Sequence, residues 1–285
     1  MTKRALESHP RRSRGGLLSS TIALGVMLAS PLAIMLAPRA AHACGAAYPG
    51  GPVMCDFPRT GAHAAVSKPP IVRLSTSYAF TSTTILFGGG KRADLTRHAV
   101  FGSVQIPFNR SGSLSGQLGA GGIAGGELVH GAARDTIGPG FAAFGGVAWR
   151  VVDGRDAIPF VQLTATLSAT HMLTRTDDRG TRTDGTTSPG AQPESPRFTA
   201  LDLRLGAIAG KTFADVLTPY VTARAFGGPI AWHFDGAAVT GTDLYKYQVG
   251  GGLSLALLDR KLDVFAEGIP LGERGFAAGI GTTFF

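Results

Sequence analysis

His171 and His233 stand near carboxylates in this sequence. His171 precedes Asp177 and Asp178, and His233 precedes Asp235. An imidazole beside a carboxylate can take a proton from water or a hydroxyl. Each pair is therefore a candidate general base for a hydrolytic site at the mouth of a fold. Asp177, Asp178 and Asp184 offer the oxygen donors that a hard cation takes. Four arginines in the same stretch oppose them, so solvated charge is the expected state. The glycine run at 119–126 has the composition of a phosphate cradle. It lacks the strand-then-helix setting that such a cradle needs, and close approach of neighbouring strands explains it better. No metal and no cofactor is expected.

A second set of charges takes its meaning from the elements that carry it. From Tyr245 to Leu257, oily residues alternate with Lys246, Gln248, Ser254 and small residues. Alternation places the two sets on opposite faces of a strand. The stretch 258–261 turns the chain, and Leu262, Val264 and Ala266 resume the oily face opposite Asp263 and Glu267. Val161, Leu163, Ala165 and Leu167 alternate with Gln162, Thr164, Thr166 and Ser168 in the same way. Such strands, about ten residues long, are oily outward and polar inward in a transmembrane barrel. On that basis Arg150, Asp202, Arg204, Arg224, Lys246, Asp263 and Glu267 face one interior. Side chains fill much of a barrel of this size, so a charge-paired plug is the expected state. A narrow pore lined by the same charges is the alternative.

The formal charge of +8 is concentrated in residues 1–43, where six Lys and Arg oppose one Glu. The rest of the chain carries 21 basic and 18 acidic residues, which leaves no nucleic-acid footprint. Residues 1–43 read as an export signal. A basic start is followed by an apolar run from about Leu17 to Leu36, then Ala41 and Ala43 at the spacing of a cleavage site. Cleavage is expected before Cys44. Two readings of Cys44 stand: a disulfide to Cys55, or a lipid anchor. Ala41, where a lipid-attachment motif carries Leu, favours the disulfide. Residues 44–70 are rich in Gly, Pro and Ala and read as an irregular periplasmic segment.

About ten strands fill residues 71–285, with eight or twelve as the neighbouring counts. The connections sort by parity. Odd links (88–96, 125–139, 174–197, 227–243, 269–274) are mostly long and polar. Even links (107–111, 152–157, 213–217, 258–260) are short. Transmembrane barrels show this asymmetry between extracellular loops and periplasmic turns. After residue 43 no apolar run reaches the length of a membrane helix, so only a closed barrel can cross a bilayer here. The expected fold is an all-β, antiparallel, up-and-down transmembrane barrel of one domain.

With these features the chain resembles the small bacterial outer-membrane β-barrels over about residues 71–285. Its ending, GlyPheAlaAlaGlyIleGlyThrThrPhePhe, is similar to their C-terminal assembly signal. That resemblance makes Phe276, Ile280, Phe284 and Phe285 the signal residues. It implies the outer membrane as location, its lipid and the barrel assembly machinery as partners, and a monomer. Phe276, Ile280 and Phe284 share a face, whereas Phe285 falls on the other. Tyr78, Trp149, Tyr220, Tyr245, Tyr247, Phe276 and Phe284 fit interfacial girdles. The expected role is structural or surface-interacting and non-enzymatic, with a surface ligand engaged by 174–197 and 227–243. A narrow pore and a rim-site hydrolase are the alternatives.

Overall fold

The computed structural model describes residues 72–109, 112–131, 133–154, 158–176, 196–234, 237–258 and 261–284. The export signal, the 44–70 segment, Cys44, Cys55, Asp177, Asp178, Asp184, Asp235 and Phe285 lie outside the described residues. Among the described residues, no helix is long and apolar enough to cross a membrane.

Among the described residues, twelve strands form one antiparallel sheet. They are β1 (Val72–Phe87), β2 (Arg92–Pro107), β3 (Leu114–His130), β4 (Ala133–Asp153), β5 (Phe160–Thr176) and β6 (Arg197–Gly210). Then follow β7 (Leu217–Gly227), β8 (Ile230–Phe234), β9 (Ala237–Asp243), β10 (Tyr247–Leu257), β11 (Leu262–Gly272) and β12 (Arg274–Phe284). Ten of them close a barrel, with β12 returning to β1 from Val72↔Phe284 to Ser82↔Arg274. The chain has the all-β barrel fold expected from its alternation.

Strand length explains the rest of the shape. A tilted strand needs about 9–11 residues to cross a bilayer. The strands β7, β10, β11 and β12 are 11 residues each, whereas β1 to β5 run from 16 to 21. The long strands continue past the apolar belt. On β1 the outward face runs Leu74, Thr76, Tyr78 and Phe80, and then turns to Ser82 and Thr84. On β2 it passes from Val100 to Thr96, Asp94 and Arg92. Leu118, Val221, Leu167 and Leu205 are among the exposed apolar side chains of the belt. A soluble sheet would bury that face.

The short pair β8–β9 lies in the link read as an outer loop. β8 pairs with the top of β6 (Phe198↔Trp232 to Ala200↔Ile230), and β9 pairs with the top of β1 (Ile85↔Asp243 to Phe87↔Gly241). At the outer end the closed ring is therefore β1 to β6, β8 and β9, which is eight strands. The barrel has ten strands through the belt and eight above it. Stretch 125–139, also read as a loop, is the outer half of β3 and β4, paired from Glu127↔Thr136 to His130↔Ala133. Leu128, Asp135 and Ile137, and likewise Ile230 and Trp232, are buried inward while Arg134 and His233 face out, so the strand period continues into the aqueous wall.

Candidate functional site

The inward face is built from alternate residues, and its character changes with height. The outer ring holds an apolar core that includes Ile85, Leu95, Leu128, Met172, Phe198 and Trp232. The lower lumen mixes Phe101, Phe144, Phe160 and Phe265 with Gln105, Gln117, Gln162 and several Thr and Ser. Between them, where ten strands become eight, lies a band of buried charge.

That band is continuous. Arg204 on β6 donates to Asp202 on the same strand and, at 2.6 Å, to Glu273. Gln248 on β10 donates to the same Glu273 carboxylate. Arg224 on β7 donates to the Gln248 carbonyl at 3.3 Å and meets Glu267 of β11 at 2.8 Å. Tyr220 donates its hydroxyl to Glu267 at 3.2 Å. Arg204 also lies over the Phe226 ring, 4.4 Å from its centre. On the opposite wall, Arg97 of β2 donates to Thr81 at 2.9 Å and stands 3.9 Å from Glu273. Buried ions persist only when paired and hydrogen-bonded, and here each charged group faces an opposite one.

Two glycines make room for this band. Gly272 adopts φ +81, and a Cβ there would meet the Tyr247 carbonyl oxygen at 1.8 Å. Its left-handed turn folds Glu273 inward instead of out to water. A Cβ on Gly252 would meet the Tyr220 hydroxyl at 2.2 Å, so its absence admits the phenol that reaches Glu267.

A cavity of about 30 Å³ opens beside the band. Thr83, Arg97, Ser168, Asp202, Asp243 and Glu273 line its polar side, and Ile85, Leu95, Phe198 and Ile230 line its outer side. That volume has room for about one water. Asp243, at the end of β9 and above the lipid belt, accepts from Thr83 at 3.1 Å. Its carboxyl is pushed up to about 6, by burial first and then by Glu273 and Asp202; Arg204 and the Thr83 hydroxyl act against this.

Of the interior charges read from alternation, Asp202, Arg204, Arg224 and Glu267 come together in the band. Asp263 is buried lower in the barrel. Arg150 stands at the other mouth, 3.0 Å from Asp153, beside the bulge between Arg150 and Val152. Lys246 is exposed, because it precedes β10 and strand alternation does not extend to it. Tyr220, read as a girdle residue, faces inward with Thr218, Thr222 and Arg224. Tyr78, Trp149, Tyr245, Tyr247, Phe276 and Phe284 lie on the outward face. Glu273 was missed because a turn has no alternation to read. Arg97 had a signal, since it shares parity with the inward Ala99 and Phe101.

The histidines distribute differently from their spacing in sequence. His171 points outward at the rim of the belt, 5.7 Å from the Phe141 ring and 2.9 Å from the Thr199 hydroxyl. That position removes it from any interior cleft. His233 is exposed on β8. Among the described residues, it is His130 that meets a carboxylate, with Nε2 3.2 Å from Asp135 Oδ2. Trp232 packs edge-on against the His130 ring at 5.1 Å and donates to Thr174 at 3.2 Å. Asp135 and Thr174 are fully buried. No group of three or more metal-ligating side chains occurs among the described residues.

No family model and no curated protein matches the sequence. Solved structures do. The outer membrane protease OmpT from Escherichia coli matches with TM-score 0.50 at 11% identity, covering 78% of this chain and all of that one. The translocator domain of the autotransporter NalP from Neisseria meningitidis matches with TM-score 0.42 at 12% identity, over 93% of this chain and 97% of that one. The transport unit of the autotransporter AIDA-I from Escherichia coli matches with TM-score 0.41 at 11% identity, over 79% and 92%. The chain has the fold of the bacterial outer-membrane β-barrels. Fold alone does not fix a role, which must come from the site.

Proposed function

We propose that the chain is a closed, non-enzymatic barrel of the outer membrane, with a structural or surface-interacting role carried by its outer wall and loops. The fold and the apolar belt support that location. The observation that carries the reading is the double obstruction of the lumen. The apolar core of the eight-strand ring lies above the Asp202–Arg204–Glu273–Gln248–Arg224–Glu267 band. An ion would have to displace both. Planar-bilayer recording on barrel that shifts on an unheated gel tests this. Folded protein without current steps is the expected result; discrete, reproducible steps would make it a narrow pore instead.

One observation favours a second reading, a hydrolase at the outer rim. The His130–Asp135 pair has the geometry of an oriented general base. Peptidase and esterase assays on the folded barrel test it. Turnover that disappears in His130→Ala would establish this reading and displace the first.

A further inference from the structure

We propose that the outer wall of β4, β5 and β6 binds the anionic phosphate headgroup of a membrane lipid through Arg175 and Arg197, with Arg134 beside them. The proposal rests on the membrane reading and adds a specific lipid contact to it.

The registers bring these residues together. Thr136 of β4 lies opposite Arg175 of β5, and Leu173 of β5 lies opposite Arg197 of β6. Arg134, Arg175 and Arg197 therefore occupy neighbouring strands, and all three are exposed on the outward face. Adjacent strands are about 4.8 Å apart and diagonal neighbours about 7–8 Å, a spacing that long guanidinium side chains span easily. Arg134 is met by Glu127 at 3.2 Å. Among the described residues, no carboxylate pairs with Arg175 or Arg197. On the described wall, then, two exposed guanidinium groups stand side by side without a carboxylate between them. Elsewhere on the wall, Arg92 shares its strand with Asp94, which accepts from Thr84 at 2.6 Å.

Position selects a lipid over a free anion. Directly below the arginines the wall becomes Leu173, His171, Phe141 and Leu201, with Phe141 and Leu201 exposed at the top of the belt. A ligand that joins phosphate to acyl chains satisfies both zones at once. Guanidinium groups suit phosphate because they can donate two parallel hydrogen bonds to its oxygens. A soluble phosphate would use only the upper zone.

The test begins with insertion into phosphatidylcholine vesicles and the shift on an unheated gel. Failure there overturns the membrane reading and this inference with it. Native mass spectrometry of the detergent-held barrel with added phosphatidic acid then reads retained lipid. Arg175→Gln/Arg197→Gln is expected to lose roughly tenfold in retention, about the weight of one charge-assisted contact. Arg92→Gln/Arg274→Gln should behave as wild type. Inserted protein that retains no phosphatidic acid overturns the inference alone. So does equal retention by the Arg175/Arg197 variant, or equal loss in the Arg92/Arg274 control. Displacement by inorganic phosphate at the same concentration would reassign the patch to free anions and overturn the lipid.

Discussion

Arg204 and Glu273 lie 69 residues apart in sequence and 2.6 Å apart in the barrel, one on a strand wall and the other in a turn folded into the lumen. Both are almost fully buried. Removing one partner strands the other, which typically costs about 3–5 kcal/mol, whereas removing both together costs less. Glu273→Gln is expected to lose about 3 kcal/mol in urea unfolding from detergent. The double change Arg204→Met/Glu273→Gln should lose less than the two single losses added. Simple additivity would mean that the pair does not act as a unit.

Asp243 makes the outer hairpin sensitive to pH. Its carboxyl is raised from 3.8 to about 6 in the paired hairpin, with burial the largest cause. Glu273 and Asp202 add to the effect, while Arg204 and Thr83 oppose it. A raised pKa means that the paired state favours the protonated form. This contribution is therefore full below about pH 4 and lost as pH rises through about 6. A shift of about two units corresponds to ~3 kcal/mol at most. Hydrogen exchange of amides 230–243, corrected for intrinsic rates, should show more protection at pH 5 than at pH 8. Asp243→Asn should remove the difference; a difference that persists would place the titration elsewhere.

Gly252 and Gly122 separate crowding from loss of flexibility. A Cβ on Gly252 would meet the Tyr220 hydroxyl and the Ala266 carbonyl at 2.2 and 2.5 Å, while one on Gly122 meets nothing within 4 Å. Gly252→Val is expected to destabilise by about 2–3 kcal/mol. Gly122→Ala should be neutral within about 0.5 kcal/mol. Thermal loss of the gel shift measures both, and equal effects would contradict the crowding argument.

Replacing residues 230–243 with a short Gly-Ser link should leave the ten-strand ring intact, because none of its pairings uses β8 or β9. The freed edges are Phe198–Ala200 of β6 and Ile85–Phe87 of β1. Hydrogen exchange should rise there and remain unchanged in β10 to β12. Collapse of the gel shift would show that the hairpin is needed for the lower ring as well.

Much of the barrel was legible in the sequence because its two faces meet different media. Lipid requires Leu167 and Leu205 on one side, and the packed lumen accepts Ser168 and Arg204 on the other. A period of two therefore shows through in single strands. The outer ring was harder to read. Its inward residues (Ile85, Leu95, Trp232) are apolar and its outward ones polar, which inverts the signal in the same strand without interrupting it. The polar outer stretches have the composition of loops, because water-facing strand and water-facing loop draw on the same residues. At the site, Arg204, Arg224 and Glu267 followed from parity. Glu273 depended on the left-handed turn at Gly272, and His130–Asp135 on a tight hairpin within a stretch read as a long link.

The change from ten strands to eight gives β1 two seams on one edge. Its lower part, Val72 to Ser82, is sealed by β12, and its top, Ile85 to Phe87, by β9. These partners come from different lengths of chain. Every strand of the outer ring is encoded by Asp243, whereas the lower ring is incomplete until Phe284. Closure therefore runs along two seams of one strand, and the pairings of the upper ring include none of the C-terminal residues that complete the lower one.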